Sequence, residues 1–541
     1  MARPIPQIAS FLLALIAAHA GFAGAGTVPQ AAPVVVAAEP EPVVVFTEPG
    51  AAAAGDEVEW PALIAARLEA MRLRPRPAGV AAADKVEALR HQLAKVVRRA
   101  GGAKVGVHVR DLDSGASLFD HRGGELLNPA SNQKLVTAIA AVELLGPGYR
   151  FETRVVRAGD DLVLVGEGDP SLQLPDLHAL ASEVVAAGAH RGVARILVDD
   201  TAFTADRYGP GYSAQGDGAS YTAPSGALSL AFNTAVVTIR PTDVGRPASV
   251  TISPPGAHVQ VHGRVRTGRG RPIEVTSHEE GERTIFEVDG SLPGGHAAVS
   301  VRRRVADPGL FAGQAFAEVL RELTDGEAAL PVARAAAPAE AVVVARRHSE
   351  PLVQVLGSSL KFSNNFTSEQ VLRTLGWRMS GEPGSWQHGR AAVEAVWAAF
   401  GLEAGDLHFE NGAGLSRTGR VSPRALVALL ARTRDEGSPA AALLPALASG
   451  GGEGTLQGRL NRRVRGKTGT ISGVSALSGV AASPDGRDAL GFSILINGGD
   501  RPARAHRRLQ DAVVLTLLGH LDARAREHRQ AAGALVGSSH P

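Results

Sequence analysis

Cysteine does not occur anywhere in the 541 residues. That excludes a thiolate metal site, a cysteine nucleophile, a disulfide framework and a lipid anchor on an N-terminal cysteine, while leaving the redox compartment open. An excess of one charge is missing too. The 56 basic residues face 54 acidic ones for a net of +2, so no basic patch points to nucleic acid. Lysine is scarce: only Lys85, Lys95, Lys104, Lys134, Lys361 and Lys467 occur, and the other 50 basic residues are arginine. Arginine holds its proton, whereas lysine can be tuned by burial. In a chain with this bias each lysine marks a place where a guanidinium would not serve. The apolar run Ile8 to Ala18 falls short of the ~20 residues a membrane-spanning helix needs, and no later run is long enough.

What is present describes a folded, exported protein. Hydrophobic residues make up 44% and charged ones 20%, ordinary for a chain with a core. At ~150 residues per domain the length predicts three or four domains. Arg3, the apolar run and the small-x-small site Ala18-His19-Ala20 read as a secretory signal peptide over residues 1–20, an uncleaved N-terminal anchor being the alternative. Residues 21–80 read as an Ala/Pro-rich tether punctuated by Pro29, Pro33, Pro40, Pro42 and Pro49, with a short helix from Trp60 to Arg74. The mature protein is expected outside the cytoplasm, soluble or loosely associated with a membrane surface.

From residue 85 the periodicity turns regular. Val86, Leu89, Leu93, Val96 and Val97 repeat at helical spacing, and Val105, Val107 and Val109 alternate as one face of a strand. An apolar helix is predicted from about Asn132 to Leu145. Residues 153–203 read as strands around a helix at Pro175–Ala187, and 235–302 as short alternating strands only. Helices return at Leu310–Leu323, Leu352–Leu360, Ser368–Arg378 and Ala391–Phe400. Strands follow at Arg463–Thr470, Ala476–Ala482 and Ala489–Asn497, the last two joined by the turn Pro484-Asp485-Gly486. A helix over Ala503–Leu521 comes last.

Two of the six lysines fall in chemically suggestive places. Ser131-Asn132-Gln133-Lys134 sets a hydroxyl and an amine three residues apart at a helix start, hence on one face. A serine is a poor nucleophile until a base takes its proton, and a buried lysine with a depressed pKa can be that base. Taken alone, the pair is equally well read as a helix cap. A second Ser-x-x-Lys, Ser358 to Lys361, lacks the Asn-Pro-Ala lead-in. Lys467-Thr468-Gly469-Thr470 lies on a predicted edge strand. There a lysine and two hydroxyls could receive a carboxylate, and Gly469 lets a ligand approach the backbone. Between them lies Ser363-Asn364-Asn365, followed by Phe366 and Glu369.

The order Ser-x-x-Lys, Ser-x-Asn, Lys-Thr-Gly is the set shared by penicillin-binding proteins and serine β-lactamases. From about 85 to 525 the chain resembles the serine D-alanyl-D-alanine carboxypeptidase/endopeptidase family, the low-molecular-mass class C penicillin-binding proteins. Gly166 to Leu172, Val198 to Phe203, Tyr221 to Pro224, Asn411 to Arg417 and Gly454-Thr455-Leu456 add to the likeness. Ser131 and Ser363 are 232 residues apart, far more than a simple β-lactamase leaves between these motifs.

The resemblance implies an α/β (α+β) fold: a transpeptidase-like domain in two parts, 81–152 and 345–525. Two β-rich domains are inserted at 153–344, with a nested all-β unit at about 234–304, and a tail follows at 526–541. It also implies a D-Ala-D-Ala carboxypeptidase or endopeptidase acting on peptidoglycan stem peptides in the periplasm, acylated by β-lactam antibiotics, with no cofactor and no metal. Ser131 would attack, Lys134 would take its proton, Ser363 would pass a proton to the leaving amine, and Asn365 would hold the substrate amide. Lys467 would sit near Ser363 and the terminal carboxylate. Thr468, with Gly469 and Thr470 beside it, would receive the terminal carboxylate, and the N–H groups of Ser131 and Thr470 would hold the oxyanion. Asp199 would hold the amino end of the stem peptide's diamino acid, although Asp200 lies next to it. One departure is Pro210-Gly211-Tyr212, where the family usually has Trp.

The tyrosine-type β-lactamases and esterases of this fold need Tyr-x-Asn. None of Tyr149, Tyr208, Tyr212 and Tyr221 has Asn two residues on, which excludes them. A catalytically silent wall-binding or penicillin-sensing relative is the competing class. His278-Glu279-Glu280 has no second His at helical spacing and reads as a polar turn, not a metal site.

Overall fold

The computed structural model describes residues 58–73, 83–213, 215–326 and 330–537. The expected signal peptide and most of the tether lie outside these residues. From Val58 onward the described chain belongs to one compact unit.

Helices α1 (Trp60–Leu73) and α2 (Ala83–Val97) lead into β1 (Lys104–Asp111) and β2 (Ser117–His121), then α3 (Gln133–Leu145). Next come β3 (Glu152–Ala158), β4 (Asp161–Gly166), α4 (Leu174–Ala186) and β5 (Arg195–Asp199). Six strands follow without a helix of any length: β6 (Thr234–Arg240), β7 (Ser249–Ser253), β8 (Val259–Thr267), β9 (Arg271–Glu280), β10 (Arg283–Leu292) and β11 (Val299–Arg304). Helix α5 (Pro308–Leu323) precedes β12 (Val332–Arg334) and β13 (Val342–His348). Helices α6 (Leu352–Phe362), α7 (Asn365–Ser380) and α8 (Trp386–Ala399), the short β14 (Leu407–His408) and β15 (Arg420–Val421), and α9 (Pro423–Ala431) come next. The end is β16 (Ala448–Ser449), β17 (Val464–Ile471), β18 (Val474–Ala482), β19 (Ala489–Asn497) and α10 (Ala503–Gly537).

The sheet that carries the site is β16-β17-β18-β19-β1-β2, antiparallel throughout, so β1 near the start of the chain pairs with β19 near its end. Leu89 and Leu93 of α2 and Val513 and Leu517 of α10 pack on one face with Val105, Val107, Val109 and Phe492. The other face is covered as well. Gly106 lies against Leu127 and Pro423, and His108 is buried. The alternation read for β1 therefore marks only one of two dry faces. Helices α3, α6, α7, α8 and α9 form the second core, and α1 joins it through Ile64 and Met71. Residues 60–73 are thus a docked helix, not free spacer, because Trp60, Ile64, Leu68 and Met71 give that segment an apolar face to bury. Helix α10 likewise continues past the buried Ala525 into the segment expected as a tail, as far as Gly537.

Between α3 and α6 the chain builds the two inserted β-rich parts. A mixed sheet β12-β5-β4-β3-β13 packs α4 and α5 on its face, and two three-stranded sheets, β8-β10-β9 and β11-β6-β7, use only 234–304. His278-Glu279-Glu280 ends strand β9, paired with β10, and the turn falls one residue later at Gly281.

Candidate active site

Ser131 sits in a single 3-10 turn, Ala130–Asn132, that runs directly into α3. The turn is held from both sides. Asn128 Oδ1 accepts from Ala130 N at 2.8 Å, and Asn128 and Asn497 exchange two backbone–side-chain bonds of 2.7 and 3.0 Å. Ala130 is forced to φ 44°, a conformation costly for a residue with a Cβ and kept only where its surroundings over-determine it. The serine is not a cap. Its Oγ lies 3.1 Å from Lys134 Nζ.

Lys134 is fully buried, and its amine also contacts Asn365 Oδ1 at 2.8 Å and Ala413 O at 2.7 Å. Both are pure acceptors. A neutral amine has two N–H bonds for them and one lone pair left for a hydroxyl proton, which is the inventory of a base facing Ser131. Burial lowers the Lys134 pKa to about 7, and the Glu369 carboxylate pulls the other way.

The Ser363-Asn364-Asn365 motif is a helix junction. Ser363 ends α6 in the left-handed region at φ 64°, Asn364 caps α7 by accepting from Thr367 N at 3.2 Å, and Asn365 is the first residue of α7. The reversal turns Ser363 Oγ to Lys467 Nζ, 2.9 Å away, and Asn365 toward both Lys134 and Tyr221, whose carbonyl accepts from Asn365 Nδ2 at 3.0 Å. Lys467 is fully buried, also donates to Thr468 O at 2.7 Å, and has its pKa lowered well below the usual value by burial and by the Lys134 amine.

Strand β17 is open where the motif needs it. The two-residue β16 pairs only with Gly466 and Arg465, leaving the outer edge of Lys467–Ile471 free of strand partners among the described residues. A Cβ at Gly469 would stand 2.8 Å from Pro129 O and 3.0 Å from Ser131 N, so glycine is what lets the strand reach the nucleophile's turn. Asn132 ties the other side. Its amide bonds Ser478 Oγ at 2.7 Å and, in the orientation that satisfies both amide atoms, Lys467 O at 2.7 Å.

A cleft of about 960 Å³ opens over this assembly. It is lined by Ser131, Ser363, Asn365 and Thr470, and by the charged side chains of Asp217, Glu410 and Arg417. Thr468, Gly469 and Thr470 line a smaller cavity of about 270 Å³ beyond the strand, together with Arg459 and Arg507, so Thr470 borders both. Asp199 lies elsewhere. Its carboxylate accepts from Thr201 N, Thr201 Oγ1 and Ala337 N at 3.0, 2.6 and 2.9 Å, and it lines a separate cavity with Glu167 and Trp377. Asp200 pairs with Arg334. The second Ser-x-x-Lys does not assemble: the Ser358 hydroxyl bonds Val355 O and Thr367 Oγ1.

The sequence profile of the D-Ala-D-Ala carboxypeptidase 3 (S13) family matches residues 87–518. The chain belongs to that family. A D-alanyl-D-alanine carboxypeptidase of an Actinomadura species is 35% identical over 471 residues, covering 81% of this chain and 85% of the relative. The D-alanyl-D-alanine carboxypeptidase DacB of Haemophilus influenzae is 24% identical over 436 residues, 75% of this chain and 88% of the relative. The crystal structure of penicillin binding protein 4 (dacB) from Haemophilus influenzae superposes with a TM-score of 0.65 at 23% identity, over 80% of this chain and 98% of that one. The transpeptidase-like domain with its two inserted β-rich parts is therefore the family's fold in this chain.

Two parts of the site lie outside what the motifs mark. Asp217 is in an irregular loop with no periodicity to flag it. Asn128 and Asn497 stand 369 residues apart and meet only in the folded chain. The Asn-Pro-Ala lead-in is the one sequence signal for the first of these.

Proposed function

We propose that the protein is an exported serine D-Ala-D-Ala carboxypeptidase and endopeptidase that acts on peptidoglycan stem peptides through an acyl-enzyme and is inhibited covalently by β-lactams. The observation that carries this is Lys134 Nζ at 3.1 Å from Ser131 Oγ, fully buried and with its other two bonds already given to acceptors.

Ser131 Oγ attacks the carbonyl of the penultimate D-Ala while its proton passes to Lys134 Nζ. The oxyanion is met by the N–H groups of Ser131 and Thr470. Collapse breaks the amide, and the leaving amine takes a proton through Ser363, which Lys467 backs at 2.9 Å. Water then attacks the Ser131 ester, giving up its proton to the same base, and releases the shortened peptide. Asn365 holds the substrate amide, and Thr468 and Thr470 receive the terminal carboxylate beside Gly469. Opening a cross-link breaks the same kind of bond, with a longer leaving group. A β-lactam acylates Ser131 and stays tethered, since its leaving nitrogen remains part of the adduct.

The resemblance gives the substrate's amino end to Asp199, whose oxygens are already engaged inside the inserted part. Asp217 borders the Ser131 cleft, and we assign the amino end to it. Export is supported by the Ile8–Ala18 run and the Ala18-His19-Ala20 site, and among the described residues no helix is long and apolar enough to cross a membrane.

The test is the intact mass of the purified protein before and after benzylpenicillin, beside Ser131→Ala. A stoichiometric adduct lost in the variant is expected. A folded protein that forms no adduct would transfer the assignment to a catalytically silent relative.

A further inference from the structure

Of the buried ionisable groups that the mechanism leaves unused, one stands behind the base. Glu369, on α7 one turn after Asn365, is 3% exposed, and every bond it makes is to a donor. Oε2 accepts from Trp386 Nε1 at 2.7 Å and Gly412 N at 3.1 Å, and Oε1 from Ala413 N at 2.8 Å and the Tyr212 hydroxyl at 3.1 Å. Three of the four partners are N–H groups that cannot accept, so this cage favours a carboxylate over a carboxylic acid. Burial pushes the Glu369 pKa up while the four bonds oppose it.

One of those partners leads to the base. Ala413 donates its N–H to Glu369 and accepts Lys134 Nζ on its carbonyl at 2.7 Å. A single residue thus stands between the carboxylate and the amine, its two backbone groups held one by each. Lys134 is faced by Ser131 from its own turn, Asn365 and Glu369 from α7, the Ala413 carbonyl, and Lys467 from β17. Among these Glu369 is the only anion. On its far side lies Arg373, one turn along α7, whose guanidinium stacks on the same Trp386 ring at 4.5 Å. The Tyr212 hydroxyl reaches Glu369 from the loop that also places Gly211 and Ser213 on the cleft.

We propose that Glu369 is a positioning residue for catalysis: through Ala413 it orients the Lys134 amine on Ser131, and its negative charge raises the pH at which that amine becomes a base. The proposal rests on the acyl-enzyme reading and extends it. Two lysines buried side by side would otherwise repel, and the lone carboxylate behind them holds Lys134 within reach of neutral pH. Tyr212, where the family usually has Trp, adds a donor to the cage and couples the substrate loop to it.

The test is the pH dependence of acylation by benzylpenicillin in the full protein, followed by intact mass, for wild type, Glu369→Gln and the double variant Tyr212→Phe/Trp386→Phe. Removing the anion lowers the Lys134 pKa, so the acidic limb of the Glu369→Gln profile moves about one pH unit downward, with a lower plateau from the weaker, less well aimed base. The double variant keeps the carboxylate but strips two donors. Glu369 then stays protonated to a higher pH, and the limb moves the same way by a smaller amount. A group that merely held α7 against the 412–413 loop would lower the thermal midpoint and the active fraction without moving the limb. An unmoved limb in a folded Glu369→Gln protein that still acylates overturns the proposal. Should that variant fail to fold, an unmoved limb in the double variant does so. Absence of any adduct in wild type would instead strike the acyl-enzyme reading itself.

Discussion

Two cations are fully buried within the same helical layer and treated in opposite ways. Lys134 on α3 spends two bonds on acceptors and turns the third toward a hydroxyl in an open cleft. Arg373 on α7 spends its whole guanidinium on structure. Nε donates to Gly384 O at 3.1 Å, Nη1 to Asp206 O at 2.9 Å and to Ser225, and Nη2 to Thr204 O at 2.7 Å, between the rings of Phe203 and Trp386. Burial lowers both pKa values, to about 7 for the lysine and about 9 for the arginine. Only the first lies where a proton can move at physiological pH. The lesson is that burial alone does not fit a group to be a base: the amine has one of its three directions left to the substrate side, whereas the guanidinium has none to spare.

The sharpest way to break this contrast is to exchange the two chemistries. Lys134→Arg retains a buried cation but no base, so benzylpenicillin acylation should fall by ~10²–10⁴-fold in a stopped mass assay. A Lys134→Arg protein that acylates normally would refute the base assignment. At the other node, Arg373→Met orphans several buried carbonyls. We expect at least about 3 kcal/mol of lost stability by denaturant titration, with the acylation rate per folded molecule changed little. Loss of acylation at unchanged stability would mean that Arg373 serves the chemistry after all.

The pH profile sharpens the comparison next. Lys134 must be neutral to act, so the acylation rate should drop about tenfold per pH unit below its pKa of about 7 and level off above it. Stability follows with a definite sign. Between the folded pKa and the ordinary lysine value near 10.4 the unfolded chain binds the extra proton, so stability rises with pH above about 7. It should rise less steeply in Lys134→Met, measured as thermal midpoint between pH 7 and 9. The smallest effect separates the two carboxylates. Asp217→Ala should cost about tenfold in kcat/KM on a stem peptide bearing a free diamino-acid amine while sparing penicillin acylation. Asp199→Ala should cost about 1–2 kcal/mol of stability through its orphaned Thr201 and Ala337 N–H donors. A selective loss of peptide cleavage in Asp199→Ala would return the substrate role to that residue.

Much of this architecture is legible in the amino-acid sequence, and for identifiable reasons. Ser131 and Lys134 lie one helical turn apart, so their meeting follows from local geometry. The β18–β19 hairpin is marked by Pro484-Asp485-Gly486, and the cores of α2 and α4 by their apolar period. What stays hidden depends on distance. Tyr212, Glu369 and Trp386 come from a loop and two helices, and nothing local to any of them announces a shared cage. The second dry face of β1 cannot be read from its valines, because the residues between them are Gly106 and His108, small or polar yet buried. The docking of α1 and the full length of α10 are understated because Pro-rich and Arg-rich flanks disguise their apolar stripes. Asp199 is named by resemblance alone, and its neighbours Thr201 and Ala337 come together only where β5 takes its place beside β12.

The contact between β17 and the nucleophile's turn has a further consequence. At Gly469 there is no room for a side chain between two working halves of the molecule, since even a methyl would stand 2.8 Å from Pro129 O and 3.0 Å from Ser131 N. Reactivity here hangs on a dimension as much as on any functional group. A Gly469→Ala protein would keep both amines and both serines yet be wedged apart beside Pro129 O and Ser131 N, the second of them a proposed oxyanion donor. Such a protein, inactivated by adding matter and not by taking any away, would be the form in which to hold an uncut peptide in the cleft.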